Sequence, residues 1–507
     1  MSVLRTLPVE VILRRGEEAS LKRRLRARDL VGFGIGIIIG TGIFTLAGVE
    51  ARQHAGPAVT LSFVIGAVVA GLAALCYAEL ASSVPTAGSA YTYALATVGE
   101  LFAWIIGWDL LLEFALGAAV VSRGWSGYLA NLFDLPPALF GENAVVNVGA
   151  VLIIAALTTV AVLGIRQSAT FTNALVLVKV AVCVLVLVVG AFFVRRANLV
   201  PFLPPAQPAP PGAGTLHQPV VQALLGLTPS VYGVAGMLTA AAVVFFGYTG
   251  FEALANLGEE TRHPQRDLRI GILGALGVCA LLYVGVSLVL TGMADYRTID
   301  PGAPLAAAFN AVHLPWVGAL ISLGAVAGLT SVMMVELVTI GRIGFAMGRD
   351  GLLPPALARV HPRWGTPYRM TVGGAALIAV LAALVPISAL ADMVSIGALS
   401  AMIIVAVAVP VLRRARPELA RPFRVPLSPV LPVLTALACL YLMLNLDVLT
   451  WLRFAVWLAA GLLIYFGLSL IHILVVWSTR RCAPTAPVLF RLPDEGNDRP
   501  GRLSFVW

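Results

Sequence analysis

The chain has 507 residues, of which 59% are hydrophobic and 12% are charged, and its mean hydropathy is +0.93. Soluble globular chains carry about 25% charged residues, so this composition excludes an ordinary soluble domain and indicates an integral membrane protein. The formal net charge of +9 is not a nucleic-acid signature here, because the basic residues cluster on one side of a series of apolar segments.

Twelve apolar segments are predicted to be transmembrane helices, since about 20 helical residues cross the ~30 Å hydrocarbon layer. The predicted spans are 30–50, 58–82, 98–131, 144–165, 170–194, 236–257, 269–291, 315–345, 370–390, 392–412, 428–446 and 451–476. The third and eighth spans are long enough to be strongly tilted or to extend beyond the bilayer. The predicted fold class is therefore an all-α polytopic membrane protein.

The basic residues predict the orientation of these spans. Of the 34 Lys and Arg residues, 27 lie in the two tails and in the loops after spans 4, 6, 8 and 10. Five lie on the opposite side, and Arg123 and Lys179 remain within or beside spans. By the positive-inside rule, both termini are cytoplasmic and the chain is a multi-pass protein of the cell membrane.

The spans divide the chain into six predicted parts. These are a cytoplasmic N-terminal tail (1–29), a first set of five helices (30–194), an external loop (195–235), a second set of five helices (236–412), a cytoplasmic loop with helices 11 and 12 (413–477) and a cytoplasmic C-terminal tail (478–507). The external loop is rich in proline, which predicts extended backbone. The N-terminal tail has no uninterrupted apolar region and does not resemble a signal peptide. The five cysteines have no paired spacing, so the sequence indicates neither disulfides nor a zinc site.

Glycine interrupts the first and the sixth spans, which occupy matching positions in the two sets of five. Span 1 contains Gly40-Thr-Gly-Ile-Phe44, and span 6 contains Phe246-Gly-Tyr-Thr-Gly250. Such paired interruptions are typical of a transporter site built from broken helices. The free N–H and C=O groups at a break suit the carboxylate and the ammonium of a zwitterion. The alternative for span 1 is a close helix-packing face, because its glycines are spaced four apart.

Further motifs follow along the chain. They are Tyr77-Ala-Glu-Leu80, Pro85-Thr-Ala-Gly-Ser-Ala-Tyr-Thr-Tyr93, Gly124-Trp-Ser-Gly-Tyr128, Gly258-Glu-Glu-Thr-Arg-His-Pro-Gln265, Arg349-Asp-Gly-Leu-Leu353 and Asp392-Met-Val-Ser-Ile-Gly397. Together with the glycine motifs, this ordered set resembles the amino acid–polyamine–organocation superfamily. Within it, the chain is similar to the bacterial relatives of the cationic amino acid transporters.

The resemblance implies a 5+5 inverted-repeat core in helices 1–10, with helices 1 and 6 broken and helices 11 and 12 outside the core. It also implies alternating access around a substrate site between helices 1, 3, 6 and 8. Carried over by position, the substrate-binding residues are Ile38, Ile39, Gly40, Thr41 and Gly42 for the carboxylate, and Phe246, Gly247 and Thr249 for the amino group. The family often has an apolar residue where this chain has Thr249, and Asp where it has Glu252.

Lys179 lies in the middle of span 5, where an isolated ammonium costs about 3 kcal/mol or more. A lysine at this place resembles the proton-coupled superfamily members, in which the ammonium substitutes for a sodium ion between helices 1 and 8. Burial disfavours the charged form of a lysine. We therefore predict that protonation of Lys179 couples transport to the proton gradient, the alternative being a lysine permanently paired with backbone carbonyls.

Two acidic residues within the spans are candidates for the substrate site. Glu113 in span 3 lies where the family often has an acid near the substrate, and the alternative is a hydrogen bond to a neighbouring helix. Glu336 in span 8 could balance a cationic side chain, such as that of lysine, arginine or ornithine, or it could pair with Lys179 or Arg342. Asp109, four residues before Glu113, could equally be a packing residue, and Arg123 could bridge an acid near the external end.

Charged residues at the cytoplasmic ends of spans 2 and 6 are interpreted as solvated helix ends, with an inner gate as the alternative. They are Glu79, Glu252, Glu259, Glu260, Arg262, Arg266 and Arg269. The histidines form no cluster, so no metal site is indicated. No enzyme motif or extramembrane catalytic domain is apparent.

The sequence thus predicts a secondary active amino acid transporter, with proton-coupled uptake and a preference for cationic amino acids. A neutral amino acid or polyamine carrier or exchanger is the alternative, and a channel or membrane enzyme is a remote one. The expected partners are an amino acid substrate, protons and the lipid bilayer, with no cofactor, no metal and no nucleic acid. The oligomeric state stays open, and a monomer is compatible with the sequence.

Overall fold

The computed structural model of the chain describes residues 25–84, 89–97, 99–142, 144–164, 169–209, 215–354, 356–357 and 359–482. The predictions for the two tails therefore fall mostly outside the described residues, as does part of the motif that begins at Pro85. Within the described ranges, the chain is predominantly helical.

The first half of the chain forms eight α-helices among the described residues. They are α1 (Ala27–Ile38), α2 (Ala47–Glu50), α3 (Val59–Ser83), α4 (Ser89–Thr97), α5 (Glu100–Phe133), α6 (Pro137–Phe140), α7 (Val148–Val162) and α8 (Ala169–Gly190). Two π-helical segments, Gly42–Leu46 and Ala51–Ala55, flank α2, and a 3-10 turn at Gly56–Ala58 leads into α3. Two more 3-10 turns, Ala191–Phe193 and Arg196–Leu199, follow α8.

The second half begins with the external loop and continues with long helices. Its elements are β1 (Gln207–Pro208), α9 (Val220–Leu224), β2 (Ser230–Val231), α10 (Gly233–Val244), α11 (Pro264–Met293), α12 (Pro304–Ala311), α13 (Pro315–Arg349), α14 (Tyr368–Leu384), α15 (Ile387–Ala415), α16 (Val430–Leu444) and α17 (Val448–Cys482). Four 3-10 segments lie between them, at Thr215–His217, Phe245–Tyr248, Phe251–Glu260 and Tyr296–Thr298.

Eight helical stretches within the described ranges are long and apolar enough to cross a membrane. Three more helices, α7, α14 and α16, are apolar but only 15 to 17 residues long. Each predicted span coincides with helical residues, which agrees with the predicted all-α polytopic architecture. The 34 residues of α5 and the 35 of α13 confirm that predicted spans 3 and 8 are long. The number of twelve crossings and the 5+5 repeat stay predictions.

The central helix of the bundle is α5. It packs along α13 and α15, while α11 packs along α1 and α3. The indole Nε1 of Trp104 donates to the Gly461 carbonyl at 3.0 Å, and that of Trp108 donates to the Trp457 carbonyl at 2.9 Å. The Trp108 and Trp457 rings stack at 4.3 Å. These contacts attach α17, the last helix, to the face of α5.

The external loop contains a short strand pair and a short helix beside its proline-rich stretch. Gln207 and Pro208 pair antiparallel with Val231 and Ser230, and a short helix, α9, lies between the strands. The loop is also tied to the turn between α16 and α17, because Val220 N donates to the Leu446 carbonyl at 3.0 Å. Backbone polar groups of a loop need such partners where they leave water.

Glu79, near the C-terminal end of α3, is buried, so the prediction of a solvated helix end is wrong for this residue. Its Oε1 accepts a hydrogen bond from Arg413 Nε at 2.8 Å, and its Oε2 accepts from Arg413 Nη2 and Val425 N, both at 2.6 Å. A two-pronged contact of this kind is the strongest form of an arginine–carboxylate pair. Glu79 thus joins α3 to α15 and to the loop after it.

Replacement of Glu79 by alanine should lower the free energy of unfolding by about 2–3 kcal/mol, because a half-buried guanidinium loses its hydrogen-bonded partner. The melting temperature of the purified protein in detergent measures this effect. Glu418→Ala is the matched control, since Glu418 pairs with Arg416 at 3.6 Å on the surface and such pairs contribute little. Equal melting temperatures for the two variants would contradict the structural role of Glu79.

Candidate substrate site

The first predicted break is present in the structure. Helix α1 ends at Ile38, and Ile39 is extended, with φ −70° and ψ 97°. Helical structure resumes as the π-helical segment Gly42–Leu46. The backbone at Ile39 and Gly40 therefore lies outside helical structure, as the glycine pattern predicts.

The second predicted break is also present. Helix α10 tightens into the 3-10 segment Phe245–Tyr248, after which Thr249 is extended, with ψ 164°. Gly250 has a φ of 106°, a left-handed conformation that favours glycine. A Cβ on Gly250 would also lie 2.5 Å from Ile37 Cγ2, so the second break packs closely against the end of α1.

The two breaks touch each other through their glycines. A Cβ added to Gly42 would collide with the Cα of Gly247. Only residues without side chains allow the two backbones to come this close. The paired glycine motifs therefore place the two interrupted segments in direct contact.

Gly42→Ala should lower the melting temperature of the purified protein, because overpacking at a rigid contact costs about 1–3 kcal/mol. Gly32→Ala in the same predicted span is the matched control, since a Cβ there meets nothing within 4 Å. Alanine also favours helix over glycine, so the control should be neutral or slightly stabilising. A thermal melt of both variants in detergent checks the prediction, and a neutral Gly42→Ala would contradict the close contact.

A cavity of about 30 Å³ lies where the two breaks meet α5 and α13. It is lined by Ile38, Gly40, Thr41, Gly42, Glu113, Phe246, Gly247, Thr249 and Glu336, all of which are residues predicted to bind substrate. The remaining predicted residue, Ile39, is fully buried in the apolar core beside it. The cavity is small, with room for only a few water molecules.

Three carboxyl groups reach this cavity, from three different elements. Glu113 belongs to α5, Glu252 to the 3-10 segment Phe251–Glu260 and Glu336 to α13, and all are buried. Glu113 and Glu252 are in mutual contact, and Glu252 Oε1 accepts a hydrogen bond from Gly250 N at 2.7 Å. Carboxylates that share a buried site repel one another. They therefore cannot all be charged unless a cation lies beside them.

The position of Glu252 corrects its interpretation as a solvated helix end. Its exposed fraction is 1%, and it lines the central cavity. The expectation placed Glu252 towards the end of span 6, beyond the predicted break. The positive φ of Gly250 turns the chain there, and the residue two positions later faces the cavity.

Glu336 faces the cavity and is not paired with either predicted basic partner. No ion pair within 4 Å joins it to Lys179 or Arg342 in the described part of the chain. Its Oε2 is buried and has no hydrogen-bond partner among the described residues. The Glu336 carboxyl lies against Gly117 of α5, where an added Cβ would be 2.7 Å from Oε1. A buried oxygen of this kind is well suited to accept a hydrogen bond from a ligand.

Lys179 is fully buried. It contacts α1 and α13, which correspond to helices 1 and 8 of the resemblance. Its Nζ donates a hydrogen bond to the Gly36 carbonyl of α1. Its stem packs against Gly328 of α13, where an added Cβ would be 2.9 Å from Lys179 Cγ. Lys179 therefore ties α8 to the end of α1, with its stem against α13, near the place that the resemblance implies for a cation.

Two tyrosines that were not anticipated from the sequence hold the carbonyls of the first break. Tyr283 of α11 donates to the Ile38 carbonyl at 2.5 Å, and Tyr128 of α5 donates to the Phe44 carbonyl at 2.5 Å. A buried hydroxyl needs a hydrogen-bond partner. A tyrosine inside an apolar span was therefore the sequence feature that could have indicated these contacts. At the second break, the Phe246 carbonyl accepts from Thr249 N and Oγ1, at 3.0 and 2.9 Å.

Two further candidates serve the packing of the helices. Asp109 accepts a hydrogen bond from Ser400 of α15 at 2.7 Å. Arg123 pairs with Glu142 at 3.3 Å and donates to the Ala382 carbonyl at 2.9 Å. Neither residue lines the central cavity, and the prediction that Arg123 bridges an acid is confirmed.

Comparison with known proteins supports the family suggested by the motifs. The family described as amino acid permease matches residues 26–474. The chain is 42% identical to the branched-chain amino acid permease BcaP of Bacillus subtilis over 470 residues, which are 90% of this chain and 95% of BcaP. It is 40% identical to the methylthioribose transporter of the same organism over 484 residues, 94% of this chain and 99% of that protein.

A plant relative extends the similarity beyond bacteria. The vacuolar cationic amino acid transporter 2 of Arabidopsis thaliana is 38% identical over 407 residues, which are 78% of this chain and 61% of the plant protein. These relatives are transporters by name, and none is named as an enzyme. With the apolar helices and the two crossing breaks, these similarities show that the chain is a multi-pass membrane protein of the amino acid permease family, within the amino acid–polyamine–organocation superfamily.

Proposed function

We propose that the protein is a secondary active transporter that moves amino acids by alternating access, with cationic amino acids as its preferred substrates and protons as the coupling ion. The observation that carries the proposal is the crossing of the two breaks beside three buried carboxyl groups, around a small cavity that has to widen to hold an amino acid. The proposed setting is the cell membrane, with both termini in the cytoplasm, in keeping with the distribution of basic residues.

The first break is the proposed seat of the substrate carboxylate. The Gly40–Gly42 backbone precedes a new helical segment, whose N-terminal N–H groups and positive dipole end attract an anion. Thr41 Oγ1 is buried and lacks a hydrogen-bond partner among the described residues, so it is available as an additional donor. A carboxylate here would satisfy donors that the protein leaves open.

The second break is the proposed seat of the substrate ammonium. The Phe246 carbonyl already accepts two hydrogen bonds from Thr249, which leaves little capacity for a third. The carbonyls of Gly247 and Thr249 are therefore the better candidates, and Glu113 and Glu252 supply negative charge beside them. Carbonyls and carboxylates together suit an ammonium group.

The position of Glu336 favours a substrate with a cationic side chain. Its open Oε2 faces the cavity opposite the breaks and would pair with an ammonium or guanidinium group. The alternative is a neutral amino acid or polyamine carrier or exchanger. The names of the branched-chain and methylthioribose relatives favour an uncharged substrate, and protonated carboxyls would accommodate one.

Lys179 is the proposed coupling residue. Its charged form strengthens the hydrogen bond from α8 to the Gly36 carbonyl of α1, and loss of the proton weakens that bond. Protonation would thus bias the position of α1, which borders the substrate site. Such a bias is what coupling of ion and substrate requires.

The test is uptake of labelled arginine, lysine, leucine, alanine, methylthioribose and putrescine into proteoliposomes, with and without an inward proton gradient. Saturable uptake of arginine or lysine that the gradient stimulates is the expected result. Uptake of leucine or alanine alone would keep the transporter assignment but remove the side-chain role of Glu336. Transport of putrescine or methylthioribose but of no amino acid would overturn the proposed substrate class.

A further inference from the structure

The short helix α9 in the external loop carries its polar and apolar side chains on the unexpected sides. Leu224 and Leu225, at its C-terminal end, are 72% and 68% exposed, whereas Gln222 is only 2% exposed. Leu216 and Leu227, which flank the helix, are exposed as well. A helix that faces water turns its apolar side chains inwards and its polar side chains outwards. The outer side of α9 is therefore unsuited to water.

Hydrogen bonds explain the burial of Gln222. Its side-chain Oε1 accepts a hydrogen bond from Ser230 N at 3.2 Å, and its carbonyl accepts one from Leu227 N at 2.9 Å. The first of these bonds joins α9 to β2, the strand that leads into α10. With this side of the helix fixed inwards, the leucines form an exposed leucine surface, which consists of Leu216, Leu224, Leu225 and Leu227.

The sequence of the loop lacks the charges that are typical of a segment in water. Residues 197–235 contain no Asp, Glu, Lys or Arg. Since about 25% of the residues in soluble chains are charged, a water-exposed stretch of this length would carry roughly ten charges. Charged side chains are costly to bring into a membrane, whereas leucine side chains are stabilised there. The composition of the loop thus favours a lipid neighbour.

Backbone contacts place α9 at the level where two helices end. Val220 N donates to the Leu446 carbonyl, and Val448 N donates to the Gln218 carbonyl, both at 3.0 Å. Leu446 lies in the turn between α16 and α17, and Val448 is the first residue of α17. This turn joins predicted spans 11 and 12 on the predicted external side. The leucine surface therefore lies at the level of the membrane surface.

The two helices beside α9 also expose apolar side chains. Leu437 and Leu440 of α16 are exposed, as are Leu452 and Val456 of α17. On a membrane-spanning helix, such side chains face the hydrocarbon of the bilayer. The leucine surface lies just beyond the ends of these lipid-facing helices, so lipid is the neighbour that its position provides.

We propose that the leucine surface is a membrane anchor, which inserts into the headgroup and upper acyl region of the leaflet on the predicted external side. This region suits α9 because it accepts apolar side chains and still hydrates nearby backbone groups. Anchored there, α9 holds the turn between α16 and α17, and the entry to α10, at a fixed depth in the membrane. The anchor is independent of the identity of the transported substrate.

Nitroxide labels attached to single cysteines test the anchor in bilayers of phosphatidylcholine and phosphatidylglycerol. The labelled positions are Leu224→Cys and Leu225→Cys, in the full chain with Cys482→Ser, because the other four cysteines are buried. Oxygen concentrates in the bilayer, whereas a water-soluble nickel complex is excluded from it. The ratio of the collision rates of the label with oxygen and with nickel therefore reports depth in the membrane.

Both labels should give an oxygen-to-nickel ratio close to that at Leu437→Cys, on the exposed side of α16. The ratio should be several-fold higher than at Arg363→Cys, an exposed position in the loop between α13 and α14. A ratio as low as that at Arg363→Cys would overturn the anchor, since α9 would then face water. Labels that neither reagent reaches, or that are broadened by a neighbouring label, would also overturn it, because a second copy of the chain would then cover the surface.

A charged variant separates insertion of the leucine surface from insertion of the label itself. With Leu224→Glu added, the label at Leu225→Cys should move towards water, because a carboxylate is costly in the membrane. Its oxygen-to-nickel ratio should then fall towards the value at Arg363→Cys. An unchanged ratio would contradict the anchor, since the label alone would then account for the insertion.

Discussion

Replacement of Lys179 by either alanine or arginine is expected to remove the stimulation of uptake by a proton gradient. The two variants fail for different reasons. Alanine carries no proton, whereas arginine keeps its proton permanently and cannot release it. Arginine supplies nearly all the basic residues of this chain, and the lysines are Lys22 and Lys179 alone. Lys179, unlike the buried Arg123, is therefore of the type that can lose its charge.

Uptake into proteoliposomes at several inward pH gradients measures this effect. Cys183→Ala is the matched control, because Cys183 is buried one helical turn beyond Lys179 and its removal disturbs packing without removing the amine. The control should keep the response to the gradient. A Lys179→Ala protein that accumulates substrate as the wild type does would eliminate the coupling role and leave a structural lysine.

Replacement of Glu336 by glutamine should raise the KM for arginine and lysine by about 10- to 100-fold, the equivalent of one charge-assisted hydrogen bond of about 1.5–3 kcal/mol. Glutamine has nearly the same size and shape, so the cavity should keep its form. The KM for leucine or alanine should change little, because a neutral side chain gains nothing from the negative charge. The informative quantity is the ratio of the KM values for cationic and neutral substrates.

Asp109→Asn is the control for loss of an acidic group inside the membrane. Asp109 is equally buried but bonds Ser400 and does not line the cavity, and an amide oxygen can still accept that hydrogen bond. Its KM ratio should match that of the wild type. An unchanged ratio in Glu336→Gln would exclude side-chain recognition by this residue and favour the neutral substrates.

The sequence is informative where the structural signal is local. The glycine runs predict both breaks, because conformational freedom is a property of the residue itself. The hydrogen bonds of Tyr128 and Tyr283 connect residues 84 and 245 positions apart, and Glu79 reaches Arg413 across 334 positions. No local pattern encodes contacts of that range, which is why the tyrosines were not anticipated and Glu79 was expected to be solvated.

Glu252 shows a second limit of the same kind. Its place in the cavity depends on the turn at Gly250, and a helical repeat extended through that turn gives the wrong direction for every residue after it. The carboxyl groups of the site were recognisable one by one as charges in apolar surroundings. Their convergence on one cavity required the crossing of the breaks, which the sequence indicates only through the resemblance.

The two tyrosines also have a mechanical consequence. They fasten the parts of the interrupted first span to different supports, with Ile38 held by α11 and Phe44 held by α5. A relative rotation of α5 and α11 would therefore act as a torque on the short stretch between the two fixed points. Gly40 lies in that stretch, and its backbone has the conformational freedom to absorb the rotation. Each part of the span can then move together with the helix that holds it, without unfolding.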